Sequence, residues 1–139
     1  MNKILYPIPV IIISLLISGC TEDLEGTLKP DLEIEVLKSE YRNQTEEGYI
    51  PTSGNTWLYL TLNITNNNEE GSVPITAYHF FLIKGDDEVW CRGFEGDSEP
   101  NISPGNTEEF IIYFEVKITS IFDRLEYRRT LKDPIRIEL

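Results

Sequence analysis

Two cysteines, one histidine and one methionine are all that the 139 residues hold of the soft, ligating and redox-active side chains. A structural zinc site asks for about four thiolate or imidazole ligands, so that class is excluded by composition. Positive charge is scarce too: 12 Lys and Arg stand against 24 Asp and Glu, a net charge of −12. Nucleic acid is therefore excluded as a partner, because binding it requires a basic footprint that displaces counterions. The same charge is repelled by anionic headgroups, so a folded part should stand off a membrane, and it keeps the chain soluble at a crowded surface. No Gly-x-Ser-x-Gly elbow or phosphate-cradling glycine loop occurs. His79, the only base for chemistry near neutral pH, falls in phase with Ala77 and Phe81, where one hydrogen bond at a sheet edge is its ordinary role. Glycosidase chemistry can run on two carboxylates, but the acids here lie in loops and on outward strand positions, where solvation accounts for them. The expectation is a non-enzyme without a cofactor.

A long apolar run is also missing. Residues 4–17 are the nearest thing to one, roughly 14 residues against the ~20 that a spanning helix needs, and Pro7 and Pro9 disturb a helix interior. What this stretch does supply is an export pattern: Lys3, the apolar segment, then Leu16-Ile17-Ser18-Gly19-Cys20. Small residues beside the cut and an apolar segment to hold the substrate in the bilayer are what a signal peptidase requires. The pattern resembles the lipobox of prokaryotic lipoproteins. It implies a signal peptide over 1–19, a thioether-linked lipid on Cys20, and a lipid-anchored, extracytoplasmic location at the cell membrane. Each buried methylene adds ~0.8 kcal/mol, so one acyl chain holds weakly and two or three hold durably. Residues 20–30 read as lipidated Cys and flexible tether, reaching on the order of 15–20 Å; residues 31–139 read as one domain. With Cys20 lipidated, Cys91 has no partner within the chain. It sits in the strand-like run 88–92 and reads as a small buried hydrophobe, since a reactive thiol needs exposure or a nearby base.

The remaining signal is alternation. Leu32, Ile34 and Val36 alternate with acids over 32–37, as a half-buried strand requires. A polar connection spans 41–54. The strongest strand is 57–65, with Leu58, Leu60, Leu62 and Ile64 on one face and Trp57, Tyr59, Thr61 and Asn63 on the other. A loop over 66–71 follows. Residues 75–84 read as a strand with Ile75, Ala77, His79, Phe81 and Ile83 opposite Thr76, Tyr78, Phe80 and Leu82. After a turn at 85–87 comes a short strand over 88–92, then loop over 93–107. Strands at 110–117, 124–130 and 135–139 complete the set, the last two divided by a turn at Lys132-Asp133-Pro134. Seven short strands without a helical period predict an all-β, immunoglobulin-like antiparallel sandwich of two sheets.

Three pieces of the chain carry a family resemblance: Trp57-Leu58-Tyr59-Leu60-Thr61-Leu62-Asn63-Ile64-Thr65-Asn66, the Pro104-Gly105-Asn106-Thr107 loop before 110–116, and Leu125-Glu126-Tyr127. On these, residues 55–139 resemble the telokin-like, immunoglobulin-like extracellular domains of prokaryotic secreted lipoproteins, a group that includes a mycobacterial immunoprotective antigen. The resemblance implies a sandwich fold and a surface location, in a family mostly without assigned activity. Asp123, Leu125 and Tyr127 also echo the tyrosine corner of immunoglobulin-type domains, with Arg129 where antibody domains carry a cysteine.

Two site hypotheses follow. Trp57 and Tyr59, with Tyr113 on another strand and Tyr78 and Phe80 on a third, lie opposite the assigned core; together on one sheet they would form an apolar face for a protein or glycan partner, unless the third strand is out of phase or the long 41–54 loop covers them. The alternative is a calcium or other metal site, since Asp86, Asp87 and Glu88 form one acidic cluster and Glu95, Asp97 and Glu99 another. Neither cluster matches a known calcium loop. Asn43-Gln44-Thr45, Asn63-Ile64-Thr65 and Asn101-Ile102-Ser103 match the glycosylation sequon, and Asn43, in a polar loop, is the best placed of the three.

Overall fold

The computed structural model describes residues 29–96 and 100–139. The stretch expected as a signal peptide over 1–19, Cys20 and most of the stretch expected as a tether lie outside the described residues. Asp31–Leu139 forms one compact unit.

Among the described residues, ten strands in chain order build it: β1 (Leu32–Arg42), β2 (Asn55–Asn66), β3 (Val73–Pro74), β4 (Phe80–Lys84), β5 (Asp87–Trp90), β6 (Gly93–Phe94), β7 (Asn101–Ile102), β8 (Thr107–Lys117), β9 (Arg124–Arg129) and β10 (Lys132–Glu138). One four-stranded sheet has the order β1-β2-β8-β6, a second β10-β9-β4-β5, and β3 pairs with β7. All pairings are antiparallel. The architecture is an all-β sandwich, and its seven longer strands match the seven read from the sequence.

The alternating aliphatic face of β2 does what period two demands. Leu58, Leu60, Leu62 and Ile64 are buried in one cluster with Ile112, Phe114 and Val116 of β8, Phe80 and Leu82 of β4, and Leu125 and Tyr127 of β9. Apolar area of this kind stabilises by roughly 25 cal/mol per Å² removed from water.

Four sequence expectations are corrected. β1 runs to Arg42, five residues past its expected end, because a bulge between Val36 and Lys38 turns Leu37 outward and breaks the alternation without ending the pairing to β2. The stretch 75–84 is not one strand: a 3-10 turn over Ala77–His79 shifts the parity by one. Phe80 and Leu82 therefore point into the core, while Phe81 lies under the Arg128 guanidinium at 4.0 Å and His79 is exposed. The last turn falls at 130–131, with Leu131 at a φ of 62°, rather than at 132–134. Pro134 is tolerated inside β10 because β10 is an edge strand with an irregularity between Lys132 and Ile135. Finally, the Tyr127 hydroxyl accepts the backbone N–H of Thr76, 51 residues upstream, at 3.4 Å. A tyrosine corner bonds only a few residues back, so this contact ties β9 to the entry of β4 instead.

Cys91 is fully buried, and burial pushes its thiol up to about 12, only partly offset by contacts to the carbonyls of Gly93 and Tyr113. In a Cys20→Ser chain, a thiol-reactive dye should leave the native protein unlabelled and react once denaturant is added. Prompt native labelling would contradict the packing.

Where the chain enters the domain, Asp31 accepts from Lys132 Nζ at 2.7 Å and from Arg129 Nη1 at 2.9 Å. The Lys132 bond, opposed by burial and reinforced by Arg129, holds its carboxyl down at about 2. A depressed carboxylate pKa contributes stability above its unfolded value and loses it as pH falls through the folded value. With Asp31 still partly exposed, about 1 kcal/mol is expected after allowing for solvent screening. Acid titration of the melting temperature checks this: Asp31→Asn should flatten the loss between about pH 4 and about pH 2.

Candidate functional site: a strapped aromatic face

The cross-strand register places Arg42, Trp57 and Glu115 side by side on the outer face of the first sheet, and Glu40, Tyr59 and Tyr113 in the next row. Tyr59 stacks on Tyr113 at 5.3 Å between ring centroids, and Trp57 meets Tyr113 edge-on at 5.6 Å. The Arg42 guanidinium lies 4.0 Å over the Tyr59 ring and donates to Glu40 and to Glu95. Such contacts add about 0.5–2 kcal/mol each to what burial supplies.

The 43–54 connection closes over this face. It is a compact strap: Thr45 and Tyr49 exchange bonds at 3.0 Å, with Thr45 Oγ1 accepting from Tyr49 N and Tyr49 O accepting from Thr45 N, while Gly48 turns at a φ of 90°. Trp57 Nε1 donates to Tyr49 O at 3.0 Å, and Thr52 N donates to Glu115 Oε1 at 2.7 Å. Trp57 is left 5% exposed, Tyr59 3% exposed, and Tyr113 half-buried. Burial pushes both phenols above their ordinary range, so they remain neutral hydroxyls.

The exposed apolar face expected of Trp57, Tyr59 and Tyr113 is therefore corrected: the three do come together, but the strap closes over Trp57 and Tyr113, and the Arg42 guanidinium covers Tyr59. Tyr78 stands elsewhere, exposed beside Trp90, and Phe80 is in the core. What the strap leaves open is a cleft of about 430 Å³ between itself and the sheet, lined by Thr45, Tyr49, Ile50, Trp57, Arg92, Tyr113 and Glu115. Arg92, at its mouth, is half exposed and only loosely paired, 3.8 Å from Glu115 and 5.9 Å from the Trp57 ring.

The acidic clusters fare differently. Asp86 and Asp87 are exposed at the β4–β5 turn, whereas Glu88 is held by both terminal nitrogens of Arg128, at 2.6 and 3.1 Å. Glu95 faces Arg42, at 3.0 Å; Asp97 and Glu99 lie outside the described residues. Among the described residues, no three His, Cys, Asp or Glu side chains are grouped to hold a metal ion. In the first sequon Asn43 is exposed while Thr45 is buried in the strap's own bonding. Arg42 and Arg92 are the site residues that alternation alone missed. Arg42 lies past the bulge, and Arg92 follows β5 in a segment whose backbone N–H donates to Tyr113 O, outside any ladder the pattern reveals.

No protein-family model matches the chain, and no curated protein does. Two solved structures do match in fold. One is a candidate lipoprotein of Bacillus subtilis, ycdA, with a TM-score of 0.61 at 14% identity over 80% of this chain. The present chain spans 38% of that protein's length. The other is MPT63, a secreted protein of Mycobacterium tuberculosis, with a TM-score of 0.56 at 18% identity, covering 78% of this chain and 82% of that one. At such identities the likeness is one of fold: it supports the sandwich and does not single out the telokin-like type.

Proposed function

We propose that the chain is a lipid-anchored, extracytoplasmic surface protein whose immunoglobulin-like sandwich, of the telokin-like kind, is a non-catalytic binding module, and that its ligand enters the strapped cleft. The lipobox-like run ending at Cys20 supports the anchor, and fold neighbours described as a lipoprotein and as secreted agree with that location. The observation that carries the binding reading is Arg92, a loosely paired cation at the mouth of a cleft walled by Tyr49, Trp57 and Tyr113. A cleft of this size suits a small polar ligand: aromatic walls take its apolar faces, and Arg92 and Glu115 bond its hydroxyl or carboxyl groups. A sugar at the end of a surface glycan has this chemistry.

Two measurements test the proposal. Metabolic acyl labelling and membrane fractionation should both be lost in Cys20→Ala, and a bare thiol at residue 20 on the wild-type membrane protein would remove the anchor. A glycan array probed with the wild-type chain should give hits that weaken at least tenfold in Arg92→Ala; hits unchanged by that substitution would move the ligand elsewhere.

A further inference from the structure

We infer that the seam between β1 and β10 is a docking groove for an extended, basic peptide strand of a partner protein, which adds to the free edge of β1. β1 ends the first sheet and β10 ends the second, so each leaves one side unpaired by any strand among the described residues. Between the second half of β1 on one side and the 120–122 segment with the end of β10 on the other runs a groove of about 510 Å³. Its origin is the bulge. Before it, Ile34 and Val36 pack against the core; past it, the inward positions opposite Leu60 and Leu58 are Ser39 and Tyr41. Serine is too small to reach the second sheet, and Tyr41 swings out to 58% exposure. The floor is thus Leu58, Leu60 and Phe122, and the rim carries Leu37, Ile121 and Leu139, all exposed.

Large apolar side chains gathered on the rim of an apolar groove mark an interaction surface. The free main chain of β1 selects an extended occupant, because strand addition supplies backbone hydrogen bonds for affinity and a groove for every second side chain. Charge selects among such segments. Among the described residues, the carboxylates of Glu33 and Glu35 on β1 and of Glu138, which lines the groove itself, form no ion pair, whereas Glu40 is taken by Arg42 and Arg136 leans on Glu126. Lys38, which also lines the groove, is the opposing charge on β1 without an ion pair among the described residues. A basic strand meets this edge favourably, and a second copy at net −12 is repelled.

The probe is a fluorescein-labelled ten-residue peptide alternating valine and lysine, titrated by anisotropy at physiological salt against the full chain in neutral detergent. Saturable one-to-one binding is expected. It should weaken at least tenfold in Ile121→Asp and in Ser39→Trp, which fills the groove, and at least tenfold when alternate peptide nitrogens are methylated. Ile121→Asp adds a negative charge, so simple charge attraction would strengthen binding there. Both variants alter exposed positions, and melting curves confirm their folding. No binding, or binding indifferent to groove filling and to N-methylation, overturns the inference; so does sedimentation showing a dimer whose interface is the same groove, or a groove that takes anionic vesicles in place of the peptide. Arg92→Ala should leave peptide binding unchanged, which separates this surface from the strapped cleft.

Discussion

Trp57→Ala is expected to cost about 3–5 kcal/mol, the range for truncating a large buried aromatic, and to release the 43–54 strap at the same time. Against a total stability of about 5–15 kcal/mol for a domain of this kind, that is a large fraction. The loss has two sources: the indole fills the space between sheet and strap, and its Nε1 holds the Tyr49 carbonyl. Trp57→Phe separates them. It keeps most of the packing and removes only the donor, so about 1 kcal/mol should be lost while proteolysis within 43–54 quickens. Urea unfolding measures the first quantity and limited digestion the second. A Trp57→Ala chain within about 1 kcal/mol of wild type, or a strap as resistant in both variants as in wild type, would mean that the strap is held by something other than this residue.

Asn66→Ala is expected to cost about 2–4 kcal/mol, although the side chain is small and polar. Asn66 is fully buried at the end of β2. Its amide donates to Ile102 O at 2.9 Å and to Gly71 O at 3.0 Å, while its carbonyl accepts from Asn68 N and Asn68 Nδ2. Its main chain bonds Asn106 O and Gly105 N. One residue thus fixes the 67–72 loop, β7 and the turn before β8. Truncation leaves the carbonyl of buried Ile102 without that donor, which makes the cost exceed the value of an ordinary hydrogen bond. Asn66→Asp should be no better, because a carboxylate would face two carbonyl oxygens. Thermal melts and hydrogen exchange across 67–72 and 101–106 check it; a melting point lowered by less than about 3 °C would refute the assignment.

Asn66 also marks the limit of what the sequence makes legible. The four aliphatic residues of β2 and the Phe110, Ile112, Phe114, Val116 face announce themselves because burial on one side of a pleat imposes period two. The same logic places Trp57, Tyr59 and Tyr113 on a common face, since registry between neighbouring strands preserves parity. It is silent wherever parity is broken by one residue: the bulge at Leu37, the 3-10 turn before Phe80, the irregularity around Pro134. The cleft was hidden for another reason. Its roof is the polar 43–54 segment, which reads as solvated connection because its backbone bonds, Thr45 with Tyr49 and Trp57 with Tyr49, join side chain to main chain and leave no periodic trace. Arg42 enters the site through the ladder past the bulge, opposite Trp57, and Arg92 by three-dimensional adjacency alone.

β1 receives the incoming chain at Leu32 and delivers the strap at Arg42, so entry point and cleft stand about 35 Å apart along a single extended strand of 11 residues. If a ligand is held under the strap as proposed, a load between it and the incoming chain would run lengthwise along β1. The rungs joining β1 to β2 would be strained together in shear rather than unzipped in turn, and the Asp31 clamp would feel that pull first. Such a geometry lets a small domain bear traction between its two ends without first surrendering its core.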